Sequence, residues 1–491
     1  MPLSDPFLWN SSAVLTVAEM RAAEAYAAQH GVSYAAMMQT AGAAVSDAAQ
    51  RRWSAQPTLV LAGPGNNGGD GFVAAEALRR AGWPVRVAMI EATSPSAEAV
   101  AARAAYAGLC EPLTPAALEG ASLVIDALFG TGLSRGLSGV AAETVAALGD
   151  RPVLAVDLPS GVETDSGAVW APAVRAAATV TFFRKKSAHL LLPASELCGT
   201  VEVAAIGIPD EAVTTPRLVE NTPSLWQAAL PSLRVAAHKY ERGVVLIRGG
   251  ARMTGAARLA ARAAQRVGAG MVILSSPHAA AALYAGALES VIVRDDFEAP
   301  WAESVQASPL DALLIGPGLG PAAQGRDEVL AALSVRKPTV LDADGLSLFR
   351  AAPHDLFAAL HPACVLTPHE GEFQRLFGTL PGDKVARARQ AAQTAGCVVL
   401  LKGADTVIAA PDGRALINRN APPWLATAGA GDVLAGLIAG LLASGVDPLG
   451  AAAAGAALHG AVATAFGPGL IAEDLVAGVP RFLRCLMSYQ P

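Results

Sequence analysis

The sequence predicts two three-layer α/β domains in one chain of 491 residues, each built on a mainly parallel sheet. Three observations carry that prediction. Short, continuous apolar runs alternate with Ala-rich helical stretches in both halves; runs without polar alternation belong to strands covered on both faces. Glycine-rich turns follow several of these runs, as where a strand feeds a helix. Between Ile208 and Ser232 the alternation stops, and Pro209, Pro216, Pro223 and Pro231 accumulate there, which marks a connection. The expected division is a domain at 1–212, a linker at 213–230 and a domain at 231–491.

In the first half, helical stretches at Ala18–Gln29 and Tyr34–Arg52 precede the first strand. Strands are expected at Thr58–Ala62, Val85–Ile90, Leu123–Ile125, Val153–Val156, Val180–Phe183 and Val201–Ile206, with a helix at Phe72–Arg80. The second half restarts at Val244–Ile247. It continues with Met271–Leu274, Val291–Val293, Ala312–Ile315, Thr339–Leu341, Val365–Leu366, Val398–Leu401 and Thr406–Ala409. Helical stretches near 433–443, 449–465 and 471–487 close the chain, and the two halves share no motif.

Hydrophobic residues make up 53% of the chain and charged residues 16%, a balance that supports a large core rather than disorder. Lys and Arg number 36 against 42 Asp and Glu, for a net charge of −6; a dedicated nucleic-acid surface would show a basic stripe instead. The five cysteines (110, 198, 364, 397 and 485) form no C-x-x-C pair, so a reducing, cytoplasmic setting is expected. Met1–Asp5 lacks the basic and apolar regions of a secretory leader. Val433–Val446 is apolar but shorter than the roughly 18–20 residues of a spanning helix. Leu449–Phe466 is mostly Ala and Gly and holds His459, so both read as buried core helices and no membrane partner is expected.

The first strand runs into Gly63-Pro-Gly-Asn-Asn-Gly-Gly-Asp-Gly71. Gly63, Gly65 and Gly68 satisfy G-x-G-x-x-G, and Glu91 ends the next strand. Taken alone, that pattern leaves open a Rossmann-like dehydrogenase or a plain strand–helix turn. Asn66, Asn67 and Asp70 make the loop more polar than a plain dinucleotide turn. Polar groups also end later strands, at Asp126 and at Asp157-Leu-Pro-Ser160-Gly. Strand carboxyl ends form the crevice of an open parallel sheet, so Asn67, Asp126 and Ser160 can converge as an all-oxygen set suited to an alkali or alkaline-earth cation. Gly132-Leu-Ser-Arg-Gly136 matches G-x-S-x-G but is set off from its strand, so it reads as an anion loop with Arg135 available to phosphate.

With Arg184-Lys-Lys-Ser-Ala-His-Leu190, these segments resemble the NAD(P)H-hydrate epimerase family over about residues 10–210. The resemblance implies that Asn66, Asn67, Gly68, Gly69, Asp70, the run Gly130, Thr131, Gly132, Leu133, Ser134, Arg135, Gly136, and Asp157 bind the hydrated nicotinamide nucleotide. It implies K⁺ on Asn67, Asp126 and Ser160, and acid–base work by Asp157. Thr40 stands where that family usually has Asn.

In the second half, Thr427-Ala-Gly-Ala-Gly-Asp432 leads into an apolar helix. Small residues at a helix start leave amides pointing outward for an anion; Asp432 there reads either as a helix cap with glycines for packing or, taking Gly-Ala-Gly-Asp as a unit, as a base for an attacking hydroxyl. There is no Walker-type P-loop. Further strand ends carry Gly316-Pro-Gly-Leu-Gly320, Asp342-Ala-Asp-Gly345, Thr367-Pro-His-Glu-Gly-Glu372 and Lys402-Gly-Ala-Asp-Thr406. His369-Glu370 lacks the second His of a zinc motif.

Together these resemble the ribokinase-like superfamily, and more closely its ADP/ATP-dependent NAD(P)H-hydrate dehydratases, over about residues 235–488. The resemblance implies hydrate contacts at Ala256, Gly318, His369 and Asp432. It implies nucleotide contacts at Lys402, Gly403, Ala404, Asp405, Thr406 and Gly431. Ala430, Ser347 and Pro422-Pro423-Trp424 depart from the usual pattern. The joint expectation is repair of NADHX and NADPHX by epimerisation and ADP-driven dehydration, with Mg²⁺ accompanying ADP and a homo-oligomeric assembly. A small-molecule kinase, a dehydrogenase and a non-catalytic nucleotide-binding scaffold remain the competing readings.

Overall fold

The structure, a computed structural model, describes residues 6–91, 95–231, 238–298, 300–307 and 309–486. Two compact units emerge: Asn10–Pro216, and Arg217–Pro491 joined by the start of the chain up to Trp9.

The first unit holds β1 (Thr58–Ala62), β2 (Val85–Met89), β3 (Leu109–Pro112), β4 (Leu123–Ala127), β5 (Val153–Val156), β6 (Ala178–Phe182) and β7 (Thr200–Ala204). They form one all-parallel sheet in the order β3-β2-β1-β4-β5-β6-β7. The chain steps outward from β1 to β3, then returns to the other side of β1 with β4. Such a reversal opens a crevice beyond the carboxyl ends of the two central strands. Val60 packs into one core cluster while Leu59 and Leu61 pack into another, so both faces of β1 are covered. β3 escaped the sequence reading because Leu-Cys-Glu-Pro is an edge strand, largely exposed and without an apolar run.

The glycine segment after β1 is not a loop ahead of a helix at Phe72. The helix spans Asn66–Arg80 and begins inside that segment. Its glycines let it lie close against the sheet. A Cβ at Gly68 would stand 2.0 Å from the Gly63 carbonyl oxygen, and one at Gly71 would stand 2.6 Å from Ala127 Cβ.

The second unit holds β8 (Leu218–Glu220), β9 (Val244–Arg248), β10 (Met271–Ser276), β11 (Ile292–Asp295), β12 (Ala312–Ile315), β13 (Thr339–Leu341), β14 (Cys364–Leu366), β15 (Val398–Leu401), β16 (Thr406–Ala409) and β17 (Ala415–Asn418). Their order is β11-β10-β9-β12-β13-β14-β15-β16-β17-β8. Only the β15–β16 and β16–β17 pairs are antiparallel among the described strands. The chain reverses between β9 and β12, again placing a crevice at strand carboxyl ends.

The expected linker at 213–230 is corrected by this sheet. β8 pairs with β17, and Leu225 and Trp226 are buried at 0% and 1% exposure. Trp226 Nε1 donates to Asn221 Oδ1 at 3.0 Å, and Asn221 Nδ2 donates to Asn418 Oδ1 and to the Ala453 carbonyl, both at 2.8 Å. The prolines punctuate short turns around a packed segment, and the division falls at Pro216/Arg217. Ser232, Met1–Asp5 and the expected helix end at 487 lie outside the described residues.

The apolar helices Ala430–Ala443 and Pro448–Phe466 are core elements. The second is long and apolar enough to cross a membrane, but 78% of that stretch is buried within the protein. Small residues permit tight crossings: a Cβ at Gly436 would lie 2.2 Å from the Ala260 carbonyl oxygen on the helix Thr254–Val267.

Candidate active sites

At the first crevice, a cavity of about 360 Å³ is lined by Glu24, Asn66, Asn67, Asp70, Gly130, Thr131, Gly132 and Asp157, with Met20, Phe129 and Phe182 among its apolar walls. Asp157 follows β5 with a φ of 65°, a conformation uncommon for residues other than glycine. Two backbone contacts hold it there. Its amide donates to the Val180 carbonyl at 2.7 Å, and its carbonyl accepts from His189 Nε2 at 2.8 Å. Burial and the Lys186 charge lower the His189 pKa to about 4, so the ring is neutral near pH 7. Its Nδ1 accepts from the Lys186 amide at 2.9 Å, which leaves the proton on Nε2.

The Asp157 carboxylate faces a buried ammonium. Lys186 is 1% exposed, and its Nζ donates to Asp157 Oδ1 at 2.8 Å, to Thr181 Oγ1 at 2.8 Å and to the Phe182 carbonyl at 3.2 Å. Thr181 Oγ1 donates to the same Oδ1 at 2.8 Å, and the Thr131 amide donates to Oδ2 at 3.2 Å. Burial alone would raise the Asp157 pKa; the Lys186 charge and these hydrogen bonds outweigh it and hold the group below the usual carboxylate range. Asp70 goes the opposite way. Burial, then Asp157 and Glu24, push it well above that range, and Glu24 is raised by burial and by Asp157. One cavity thus holds a carboxylate drawn below the usual range beside carboxyls pushed above it, the divergence that separates a base from an acid.

Of the remaining residues implied for this site, the structure gathers some and not others. Ser134 and Arg135 are exposed, and with Leu133 and Gly136 they are absent from the cavity wall. Asp126 and Ser160 are in direct contact: Ser160 Oγ and its amide donate to the Asp126 carboxylate at 2.7 and 2.8 Å. Asp126 also accepts from the Leu128 amide at 3.2 Å, and burial pushes its pKa up to about 6. Asn67 Oδ1 and Asp157 Oδ2 flank Gly130, at 2.8 and 3.0 Å from where a Cβ would stand. Asn67 Nδ2 is buried with no partner among the described residues.

In the second unit, Gly318 has a φ of 68°, and a Cβ there would stand 2.4 Å from the Met253 carbonyl oxygen and 3.3 Å from Ala256 Cβ. The predicted pair Ala256 and Gly318 is therefore brought together. His369 caps the helix Glu370–Phe377, accepting from the Gly371 and Glu372 amides at 3.0 and 3.3 Å. It also bridges to Lys402 across adjacent strand ends. Lys402 Nζ donates to the buried Asp342 at 2.7 Å and lies 3.9 Å from Glu372. A Cβ at Gly431 would stand 3.5 Å from that ammonium. Asp432 starts the helix Ala430–Ala443; burial and the charges of Asp342 and Asp344 push it up to about 6, against the pull of Lys402.

Beside this cluster a cavity of about 290 Å³ is lined by Lys402, Gly403, Ala404, Thr406 and Gly431, five of the six nucleotide contacts implied by sequence. Asp405 is the exception. Its carboxylate is buried and held by Lys384 at 2.6 Å, away from the cavity wall. Lys402, expected as a phosphate contact, has its charge engaged by Asp342.

Sequence reasoning missed Lys186, Glu24 and His459. Lys186 lies in Arg184-Lys-Lys-Ser-Ala-His-Leu190, a segment that the family resemblance singled out without giving the lysine a role. Its position four residues past the end of β6 also places it at the crevice. Glu24 sits on an Ala-rich helix with no motif around it.

Carboxylates and glycine-walled cavities at two separate sheet edges define a two-activity α/β enzyme. Comparison with known proteins supplies the rest. Residues 244–471 match the NAD(P)H-hydrate dehydratase family, and residues 34–188 match the family of YjeF-related protein N-termini. A bifunctional NAD(P)H-hydrate repair enzyme of Salinibacter ruber is 36% identical over 95% of both chains. One from Mycobacterium tuberculosis is 39% identical over 80% of each. The crystal structure of ADP/ATP-dependent NAD(P)H-hydrate dehydratase from Bacillus subtilis, co-crystallised with ATP and Mg²⁺, is 30% identical. It covers 54% of this chain and 98% of its own, with a TM-score of 0.49. The chain belongs to the family of bifunctional NAD(P)H-hydrate repair enzymes.

Proposed function

We propose that the first unit interconverts the two epimers of hydrated NADH and NADPH, and that the second dehydrates the S epimer with ADP, releasing AMP and phosphate. The observation that carries the first half is the split between Asp157 and Asp70 in one cavity. Epimerisation at a carbon bearing hydroxyl and ring nitrogen needs an acid to help hydroxide leave. It also needs a base to take a proton when water returns on the other face. Asp157, held ionised by Lys186, is the base; Asp70 is the proton donor. The first-turn amides of the helix Asn66–Arg80 and the glycines Gly130 and Gly132 on the cavity wall suit the nucleotide phosphates.

The Asp126–Ser160 pair fits K⁺. Asp126 is a fully buried carboxylate whose recorded partners are neutral, and oxygen donors of this kind suit a hard monovalent cation. Asp126, Ser160 and Asn67 would hold it, and the ion would supply fixed positive charge to the site.

In the second unit, Asp432 takes the proton of the hydrate hydroxyl as that oxygen attacks the terminal phosphorus of ADP. First-turn amides of the helix Ala430–Ala443 steady the transferring phosphoryl group. AMP departs as the hydroxyl oxygen bonds the phosphorus, the resulting phosphate ester is expelled by the ring nitrogen's electron pair, and loss of a proton to water from the adjacent ring carbon restores the dihydronicotinamide. Among the described residues no three acidic side chains converge on a metal cage, so Mg²⁺ would arrive on the oxygens of ADP itself and would neutralise phosphate charge there. Lys402 keeps Asp342 in place. A cytoplasmic homo-oligomer, without nucleic-acid or membrane partners, completes this reading. The test is incubation of purified protein with mixed hydrate epimers and ADP or ATP. Recovery of reduced-nicotinamide absorbance supports the reading, and its absence with both nucleotides overturns it.

A further inference from the structure

The cavity beside Lys402 is lined by a buried polar atom with no hydrogen-bond partner among the described residues. His459, on the helix Pro448–Phe466, lines that cavity and is 8% exposed. Its ring hydrogen-bonds the Ala430 backbone, while Nε2 is buried with no partner among the described residues. The bond to Ala430 favours the protonated ring, so the ring donates and the carbonyl accepts. Burial lowers the pKa to about 4, which leaves the ring neutral near pH 7. A neutral imidazole that donates from one nitrogen presents a lone pair on the other.

The other polar side chains on this wall are taken. Lys402 Nζ holds Asp342 at 2.7 Å. The Thr406 hydroxyl donates to the Gly403 carbonyl at 2.7 Å and accepts from its amide at 3.1 Å. Asn418 accepts from Asn221 and donates to Asn420, both at 2.8 Å. The rest of the wall includes Pro422, Leu425, Leu434 and Ala456, surfaces that suit the faces of a flat heterocycle. An acceptor buried without a partner is costly, and a ligand that donates to it recovers that cost.

We infer that His459 reads the nucleotide base, with Nε2 accepting from an exocyclic amino group, so that adenine is taken over hypoxanthine. This rests on the reading of the cavity as the nucleotide site of the dehydratase half.

ADP and IDP differ only at one edge of the base, amino against oxo at C6 with N1 gaining a proton, so they are the probes. With wild-type protein and the S hydrate, kcat/KM for ADP should exceed that for IDP by about tenfold to a hundredfold, through KM, as expected for one buried hydrogen bond made or lost. His459→Phe should raise KM for ADP and bring the two nucleotides to near parity, with kcat changed by no more than about twofold. His459→Gln, whose amide can donate as well as accept, should recover use of IDP. Equal wild-type use of ADP and IDP, or preference for IDP, overturns the inference alone. Turnover with neither nucleotide overturns the nucleotide reading of the cavity as well. If His459→Phe does not fold, the wild-type comparison decides.

Discussion

Replacing Lys186 by Met should convert the base of the first site into a neutral acid. Lys186 Nζ stands 2.8 Å from Asp157 Oδ1, and both side chains are almost fully buried, at 1% and 9% exposure. Removing one partner of a buried ion pair costs about 3–5 kcal/mol, because the remaining charge is stranded. Asp157 is held below the usual carboxylate range in the native protein by that charge and its hydrogen bonds; in the variant the burial that opposes ionisation is left uncompensated and raises it above that range. The assay is exchange between separated R and S hydrates, resolved by chromatography, over about pH 5 to 9. Wild type should show no acidic limb from Asp157 in this range. The variant should lose rate near neutrality and regain part of it as pH rises. The sign of the stability effect follows from the lowered native pKa. The pair stabilises the fold above the unfolded Asp value and loses that contribution as pH falls through the native one. A variant that folds, exchanges epimers at the wild-type rate and shows no shifted limb would refute the assignment of Lys186 as the group that keeps Asp157 ionised.

Further expectations follow from the same geometry. Asp432→Asn should abolish dehydration while epimer exchange survives, and wild-type dehydration should fall as pH drops through about 6, where Asp432 takes up a proton. Because burial raises that pKa, the ionised form is disfavoured in the fold. The Asn variant should therefore be more stable at pH 7, by about 1–3 kcal/mol in urea titration. Ser160→Ala removes a donor to Asp126 and should raise the K⁺ concentration needed for half-maximal epimerisation by about 10–100-fold. Gly68→Ala forces a Cβ to 2.0 Å from the Gly63 oxygen and should lower the urea midpoint by the equivalent of about 1–3 kcal/mol.

How much the sequence disclosed depended on burial. β1, β5, β12, β13, β15 and β16 are uniformly buried, so their runs are continuous and their bounds matched expectation. β3, β8 and β17 were not expected: β3 and β8 are edge strands, which need no apolar run, and the latter follows a proline, whereas β17 is buried throughout but offers only Ala-Leu-Ile before Asn418. The start of the helix at Asn66 was hidden for another reason. Glycine is disfavoured within helices on propensity, and only the close approach to Gly63 and Ala127 explains its use there. Site residues followed a similar rule. Asp126, Asp157, Ser160 and Asp432 stood out because carboxylates and hydroxyls beside glycines at strand ends are unusual. Asp405 looked like part of a phosphate loop until Lys384, far away in the chain, was found against it. Lys186 and His459 could not be picked out because nothing in a lysine run or an Ala-rich helix announces that one member is buried.

The contrast between Asp157 and Asp432 shows why identity alone did not assign chemistry. Both are aspartates at the carboxyl edge of a parallel sheet, and burial pushes both upward. Asp157 has an ammonium within hydrogen-bonding distance and titrates below the usual range. Asp432 has one nearby as well, but Lys402 is bonded to Asp342, whose negative charge raises Asp432 further. A carboxylate with its own ammonium is a weak base that stays ionised, suited to a reversible exchange in which the proton is shared with Asp70. A carboxylate near 6 is a stronger base still mostly ionised at neutral pH, suited to taking a hydroxyl proton at the moment of phosphoryl transfer. Moving the Lys402 contact from Asp342 to Asp432 would depress the second base toward the first, so the Asp342 carboxylate sets the strength of that base. Asp342→Asn should accordingly lower the pH at which dehydration is lost, and an unchanged acidic limb would show that Lys402 does not choose between the two carboxylates.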